Sequence, residues 1–179
     1  VYIANARLPT ERAHGVQIMK TCEALNQAGV EVALWLPQRR NPQFAGRELF
    51  DYYQIPQRFP VSRLWCFDAI GRFNFLPGVG FYLQSKSFAR SVARQLVGVE
   101  TAVFYGRDLY SLEPLRRAGT PYFYEAHTVN RRPSSFQMRI FQQAAGIIAI
   151  SKHLAEEFRQ YVPQQRVLVA EDGVDLSLF

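Results

Sequence analysis

A chain of 179 residues, 48% hydrophobic and 20% charged, is long enough to bury one good core and too apolar for a disordered segment. Its formal charge is +6 and 18 of its 21 basic residues are arginine, a skew that suits anionic ligands or lipids and equally suits a general preference for arginine. The pairs Arg39-Arg40, Arg116-Arg117 and Arg131-Arg132 are dispersed with no nucleic-acid module around them, which argues against nucleic acid, and no CxxC or His/Cys spacing points to a metal.

In chain order, Val1-Tyr2-Ile3-Ala4 reads as a buried strand, residues 7–12 as a polar loop, and Gly15-Val16-Gln17-Ile18-Met19 as the first turns of a helix. That helix carries Val16, Met19, Cys22 and Leu25 at near-helical spacing and closes at Gly29, before a second strand over 30–36. Strand, helix, strand makes a right-handed crossover unit. Residues 37–60 read as irregular, with a short helix near 48–53, and residues 63–67 as a third strand whose sheet neighbours are not readable.

Between residues 67 and 82 stand Phe67, Phe73, Phe75, Phe81 and Tyr82, interleaved with Gly71, Pro77, Gly78 and Gly80 and close to Arg72. Such a loop suits an apolar acceptor groove or a membrane-touching surface as well as plain packing over the sheet edge. A helix over 81–96 follows, with Leu83, Phe88, Val92 and Leu96 on its apolar face. From residue 101 the alternation is regular: strands at 101–105, 121–124, 146–150 and 167–169 are separated by helices at 109–118, 134–144 and 152–161. The pattern predicts an α/β, Rossmann-like, doubly wound and mainly parallel sheet of about seven strands flanked by helices. Cys22 and Cys66 read as two buried thiols in a reducing compartment. With no signal peptide and no apolar run of membrane-spanning length, the sequence predicts a cytoplasmic protein.

In a parallel sheet the residues just after each strand converge on one edge. This rule gathers His14, Gly15, Arg107, Glu125, His127, Ser151 and Lys152 around one cleft, with Arg7 and Arg12 in the first loop. A histidine, a carboxylate and several cations suit a hydroxyl-rich or phosphorylated ligand. Simpler roles exist beside these. Gly15 either admits an anion to the helix N-terminus or eases the turn. Glu125 caps a loop or pairs with Arg107, Ser151 is a helix N-cap without a capping box, and Lys152 is solvated. His127, at a strand end in a polar loop, is the residue least explained as core. A dinucleotide oxidoreductase needs a tighter G-x-G-x-x-G and an acidic end to the second strand, which here ends in Leu36-Pro37.

Four separated stretches, RLPTERAHGVQIMKTCEAL, YEAH, IIAISKHLAEEF and EDGVDLSLF, resemble in order and spacing the N-terminal half of the GT-B glycosyltransferases of family 4. The resemblance implies two Rossmann-like domains facing across a cleft, of which this chain is the N-terminal, acceptor-side one over residues 1–170. Residues 171–179 would start the interdomain linker, and a C-terminal donor domain would follow. It implies a retaining, metal-independent transfer of a sugar from a UDP-, GDP- or ADP-sugar to a sugar or lipid-linked acceptor, with no covalently bound cofactor. His127 would approach the transferred sugar and assist the reaction as the catalytic residue, the Gly15 amide would stand near the phosphates or the transferred sugar, and Arg107 and Ser151 would contact acceptor or donor.

The chain departs from the family pattern at His14, where many members carry a second glycine, and at Asp172, where asparagine is usual. An opening inside a strand without methionine, and an end at Phe179, predict a chain cut at the hinge that is inactive alone. The excess of arginine and the aromatic stretch point to peripheral contact with the inner face of a membrane. The alternative is a stand-alone Rossmann-like binding or scaffold protein without catalysis.

Overall fold

In the computed structural model, which describes residues 1–39, 41–70, 77–99, 102–171 and 173, the apolar runs of the chain become the strands of a single sheet. These are β1 (Tyr2–Ile3), β2 (Leu34–Pro37), β3 (Val61–Leu64), β4 (Phe104–Gly106), β5 (Tyr122–Ala126), β6 (Gly146–Ala149) and β7 (Val167–Val169). Helices α1 (Ala13–Gln27), α2 (Leu49–Tyr52), α3 (Pro77–Gln95), α4 (Leu109–Ala118), α5 (Ser135–Gln143) and α6 (Lys152–Tyr161) connect them. Arg72, Phe73 and Phe75 of the aromatic stretch, Thr101, and Asp172 and residues 174–179 of the predicted linker lie outside the described residues.

Every strand pair is parallel, and the order is β3-β2-β1-β4-β5-β6-β7. Tyr2 stands between Leu34 of β2 and Tyr105 of β4, so the direction of winding reverses at β1. A reversal of this kind opens a crevice at the carboxyl ends of the two strands flanking it. The two sheet faces carry separate cores. Tyr2, Ala4, Leu34 and Leu36 pack under Ile18, Met19 and Cys22 of α1 and Leu49 and Phe50 of α2. Ile3, Trp35, Phe104, Tyr122, Tyr124 and Ile147 pack under α3 to α6 through Phe88, Leu112, Phe141 and Phe158. This is the predicted doubly wound α/β fold, its side chains alternating between the two layers.

Several local expectations change, among them the second strand, which covers Leu34–Pro37 instead of the predicted 30–36, Val30 being exposed. The stripe of α1 that faces the sheet is Gly15, Ile18, Met19 and Cys22, whereas Val16 and Leu25 of the predicted stripe are exposed. A glycine holds the first position of an i, i+3, i+4, i+7 face, which hid that face from a count of apolar residues. The third strand ends at Leu64 instead of running to Phe67: Trp65 is 58% exposed, and the Phe67 N–H donates to Ser87 Oγ at 2.8 Å rather than to a ladder. Finally, Gly78 to Tyr82 are helical, because α3 begins at Pro77, a residue whose fixed φ suits a first helical turn. Phe88 and Val92 of α3 are fully buried as predicted, while Leu83 is exposed. Both cysteines are buried, unpaired thiols, and burial pushes Cys22 up to about 12.

Candidate functional site at the switch point

The loop from β1 to α1 is longer than the roughly two to six residues usual for such a connection. Much of that length is buried, because the loop reaches across to α2 and β3. Tyr53 Oη donates to Thr10 O at 3.0 Å and accepts from Thr10 N–H at 2.9 Å. Asn41 Nδ2 and an Arg63 guanidinium nitrogen donate to the Pro9 and Leu8 carbonyls at 3.0 and 3.1 Å. The loop therefore holds the start of α1 in a fixed place.

Gly15 is needed here for packing. A side-chain carbon built on it would stand 2.3 Å from Tyr53 Oη and 2.6 Å from Thr10 Cγ2. Its N–H donates to Arg12 O at 2.9 Å, so the amide expected to face a phosphate is engaged within the first turn. The donor end of α1 falls instead to the residues before it, Ala13 and His14. That end has no side-chain cap and no acidic residue in its first turn, whereas α2, α4, α5 and α6 are capped by Glu48, Asp108, Ser134 and Ser151. Its N-cap residue is the exposed Arg12. Arg12 and Arg107 outweigh the exposed Glu11 in the charge acting on His14, and an uncapped helix N-terminus under net positive charge favours an anion.

Across the crevice, β4 and β5 supply the rest. Arg107, directly after β4, donates to Gln17 Oε1 of α1 at 3.0 Å. Glu125 of β5 is 4% exposed and has both oxygens occupied: Tyr2 Oη donates to Oε2 at 2.7 Å, and His127 Nε2 stands 2.6 Å from Oε1. Burial pushes the Glu125 carboxyl up, but hydrogen bonds from His127 and Tyr2, the charge His127 carries when protonated and the nearby charge of Arg107 outweigh it, holding it below the usual range. An ionised carboxylate only accepts, so the proton of the short contact sits on His127 Nε2 and the other ring nitrogen, Nδ1, is the one left to exchange a proton. His14 is held below the ordinary histidine value by burial and then by Arg107 and Arg12.

The Glycosyltransferase Family 4 profile matches residues 14–178. The chain belongs to that family. Among solved structures, that of Acinetobacter baumannii MurG shares the fold, with a TM-score of 0.54 and 12% identity over 93% of this chain and 43% of MurG. The chain thus spans less than half the length of MurG, and its sheet corresponds to one half of a GT-B fold. No curated protein matches.

Within this family 4 domain, His14, Arg107, Glu125 and His127 of the strand-end set are linked, since Arg107 acts on both His14 and Glu125 and Glu125 bonds His127. Ser151 and Lys152 stand at the start of α6. Ser151 accepts from Leu154 N–H at 3.2 Å as the cap of α6, with no capping box, and Lys152 is exposed on that helix's first turn. Glu125 pairs with His127 and Tyr2 rather than with Arg107. Two participants escaped the sequence reading, Tyr2 and Gln17. A tyrosine in a buried strand needs a hydrogen-bond partner, and that requirement is the signal it carried. Gln17 lies one turn after His14 on α1 and is read only once Arg107 is seen opposite. Among the described residues no group of His, Cys, Asp and Glu gathers to hold a metal, and no helix is long and apolar enough to cross a membrane.

Proposed function

We propose that this domain is the acceptor-side half of a retaining glycosyltransferase that moves a sugar from a UDP-, GDP- or ADP-sugar to an acceptor hydroxyl. The observation that carries the reading is His127, tied to the buried Glu125 carboxylate, on which Arg107, itself bonded to Gln17 of α1, also acts. In the reaction the bond from the sugar's anomeric carbon to the phosphate oxygen breaks. The acceptor oxygen bonds to that carbon on the same face and gives up its proton. Charge grows on the leaving phosphate, and the start of α1 with Arg12, His14 and Arg107 is suited to receive it without a metal. His127 holds the transferred sugar and handles protons through Nδ1.

The nucleotide itself belongs to a second domain that closes over this one. Without it, both orientation of the donor and charge stabilisation are lost, and residues 1–179 alone transfer no sugar. The acceptor is lipid-linked and met at the cytoplasmic face of a membrane. Support comes from exposed Trp65, Phe67, Ile70, Phe81 and Tyr82, gathered after β3 and on the first turns of α3, with Lys86 on the next turn. The test is transfer from each nucleotide sugar by the full-length protein and by residues 1–179 alone. Turnover by the full-length protein only is expected, and turnover by residues 1–179 would overturn the half-site reading.

A further inference from the structure

Tyr2 places a phenol in an otherwise apolar strand. It is 2% exposed, and its ring reaches across β4, edge-on to Tyr105 with centroids 4.9 Å apart. Packing does not ask for the hydroxyl, since phenylalanine would fill the same space. The hydroxyl reaches Glu125 Oε2, two strands away, and the other oxygen of that carboxylate is the one that holds His127. Glu125 is buried, so solvent does not fix the rotation of its carboxylate. That torsion is broad and nearly two-fold by nature. Whatever donates to Oε2 therefore decides where Oε1 points.

We infer that Tyr2 is a positioning residue for His127: its hydroxyl locks the Glu125 carboxylate so that Oε1 takes the Nε2 proton and Nδ1 is the nitrogen presented to the crevice. The inference rests on the role proposed for His127. Tyr2 moves no proton itself. Burial and then the neighbouring Glu125 carboxylate hold its hydroxyl far above the ordinary tyrosine value. Which nitrogen of a histidine stays basic is set by the bond that the other one makes, and here that bond is set from β1.

The test is nitrogen-15 NMR of histidine-labelled full-length protein, read together with transfer kinetics. In the wild type His127 carries its proton on Nε2; a neutral ring protonated on Nδ1 would overturn the inference. In Tyr2→Phe the two tautomers become mixed and kcat falls about tenfold or more, as for a lost hydrogen bond to a charged group, with KM within about twofold. A purely structural tyrosine would lower the melting temperature while leaving tautomer and kcat unchanged, and that result would sink the proposal. Should Tyr2→Phe not fold, 3-fluorotyrosine at position 2 keeps the ring and strengthens the donor. Glu125 then accepts more weakly from His127, so the Nε2 proton resonance moves upfield; no movement would refute the coupling. His127→Ala with wild-type turnover would dispose of the proposed function, while the tautomer measurements would still decide the positioning claim.

Discussion

Replacing Gly15 with alanine separates a packing requirement from a helix propensity. By propensity alone, alanine inside a helix is about 1 kcal/mol better than glycine. Here the new carbon would lie 2.3 Å from Tyr53 Oη, 2.6 Å from Thr10 Cγ2 and 3.2 Å from Leu8 Cδ2. Tyr53 cannot swing away without cost, because its hydroxyl satisfies both the N–H and the carbonyl of Thr10 in a buried loop. Overpacking of this kind costs about 1–3 kcal/mol, and each buried polar group left unpaired a further ~1–3 kcal/mol. Set against the propensity gain, Gly15→Ala should destabilise by about 2–4 kcal/mol, a melting temperature roughly 5–15 °C lower for a domain of this size. Thermal unfolding of wild type, Gly15→Ala, Tyr53→Phe and the double variant tests this as a cycle. The cost of Gly15→Ala should shrink by about 1 kcal/mol or more once the Tyr53 hydroxyl is gone. A stabilised Gly15→Ala, or strictly additive variants, would refute the clamp.

Other outcomes follow from single groups. Glu113 is held at about 2 by its hydrogen bond to Arg116, with burial opposing and Arg117 assisting. Its folded value is depressed, so the stabilisation is complete above the unfolded value of about 4.5 and is lost as pH falls towards 2. Arg117 is 71% exposed and screened, so Glu113→Gln should cost only about 1–2 kcal/mol at pH 7 and almost nothing near pH 2, as read by urea unfolding. An equal cost at both pH values would contradict the pairing. His14 should titrate by NMR below 6.5, and Arg107→Gln should raise its midpoint by removing one of the charges that lower it; an unmoved midpoint would place Arg107 elsewhere. With thiols raised by burial, Cys22 and Cys66 should ignore a thiol reagent at pH 8 until the chain is unfolded. Phe81→Ser with Tyr82→Ser should abolish sedimentation with anionic vesicles at low salt, at a cost of about 1–3 kcal/mol in stability because both half-exposed rings also pack edge-on against Tyr110. Unchanged sedimentation would remove the membrane contact.

The fold was largely legible where signals are local. From Phe104 onward each strand and helix lies within a few residues of its expected place, because Asp108, Ser134 and Ser151 cap the helices and Gly119, at φ 68°, ends α4 in a left-handed turn. The first half was harder. The buried face of α1 starts on a glycine, and the apolar run after Leu64 leaves the sheet to meet Ser87. Strand order was not readable at all, since parallel pairing joins residues far apart in the chain. The same limit governs the site. Convergence at strand ends brought His14, Arg107, Glu125 and His127 together from topology alone, but the bond from Tyr2 to Glu125 spans 123 residues and leaves no local pattern.

The measurement that bears most directly on the account is kcat of full-length His127→Ala with the nucleotide sugar that the wild type uses. A fall of about a hundredfold or more, with the melting temperature unchanged, is the expected result for a group that handles protons at the reacting sugar. Wild-type kcat in that variant would mean that the crevice between β1 and β4 is not where transfer occurs.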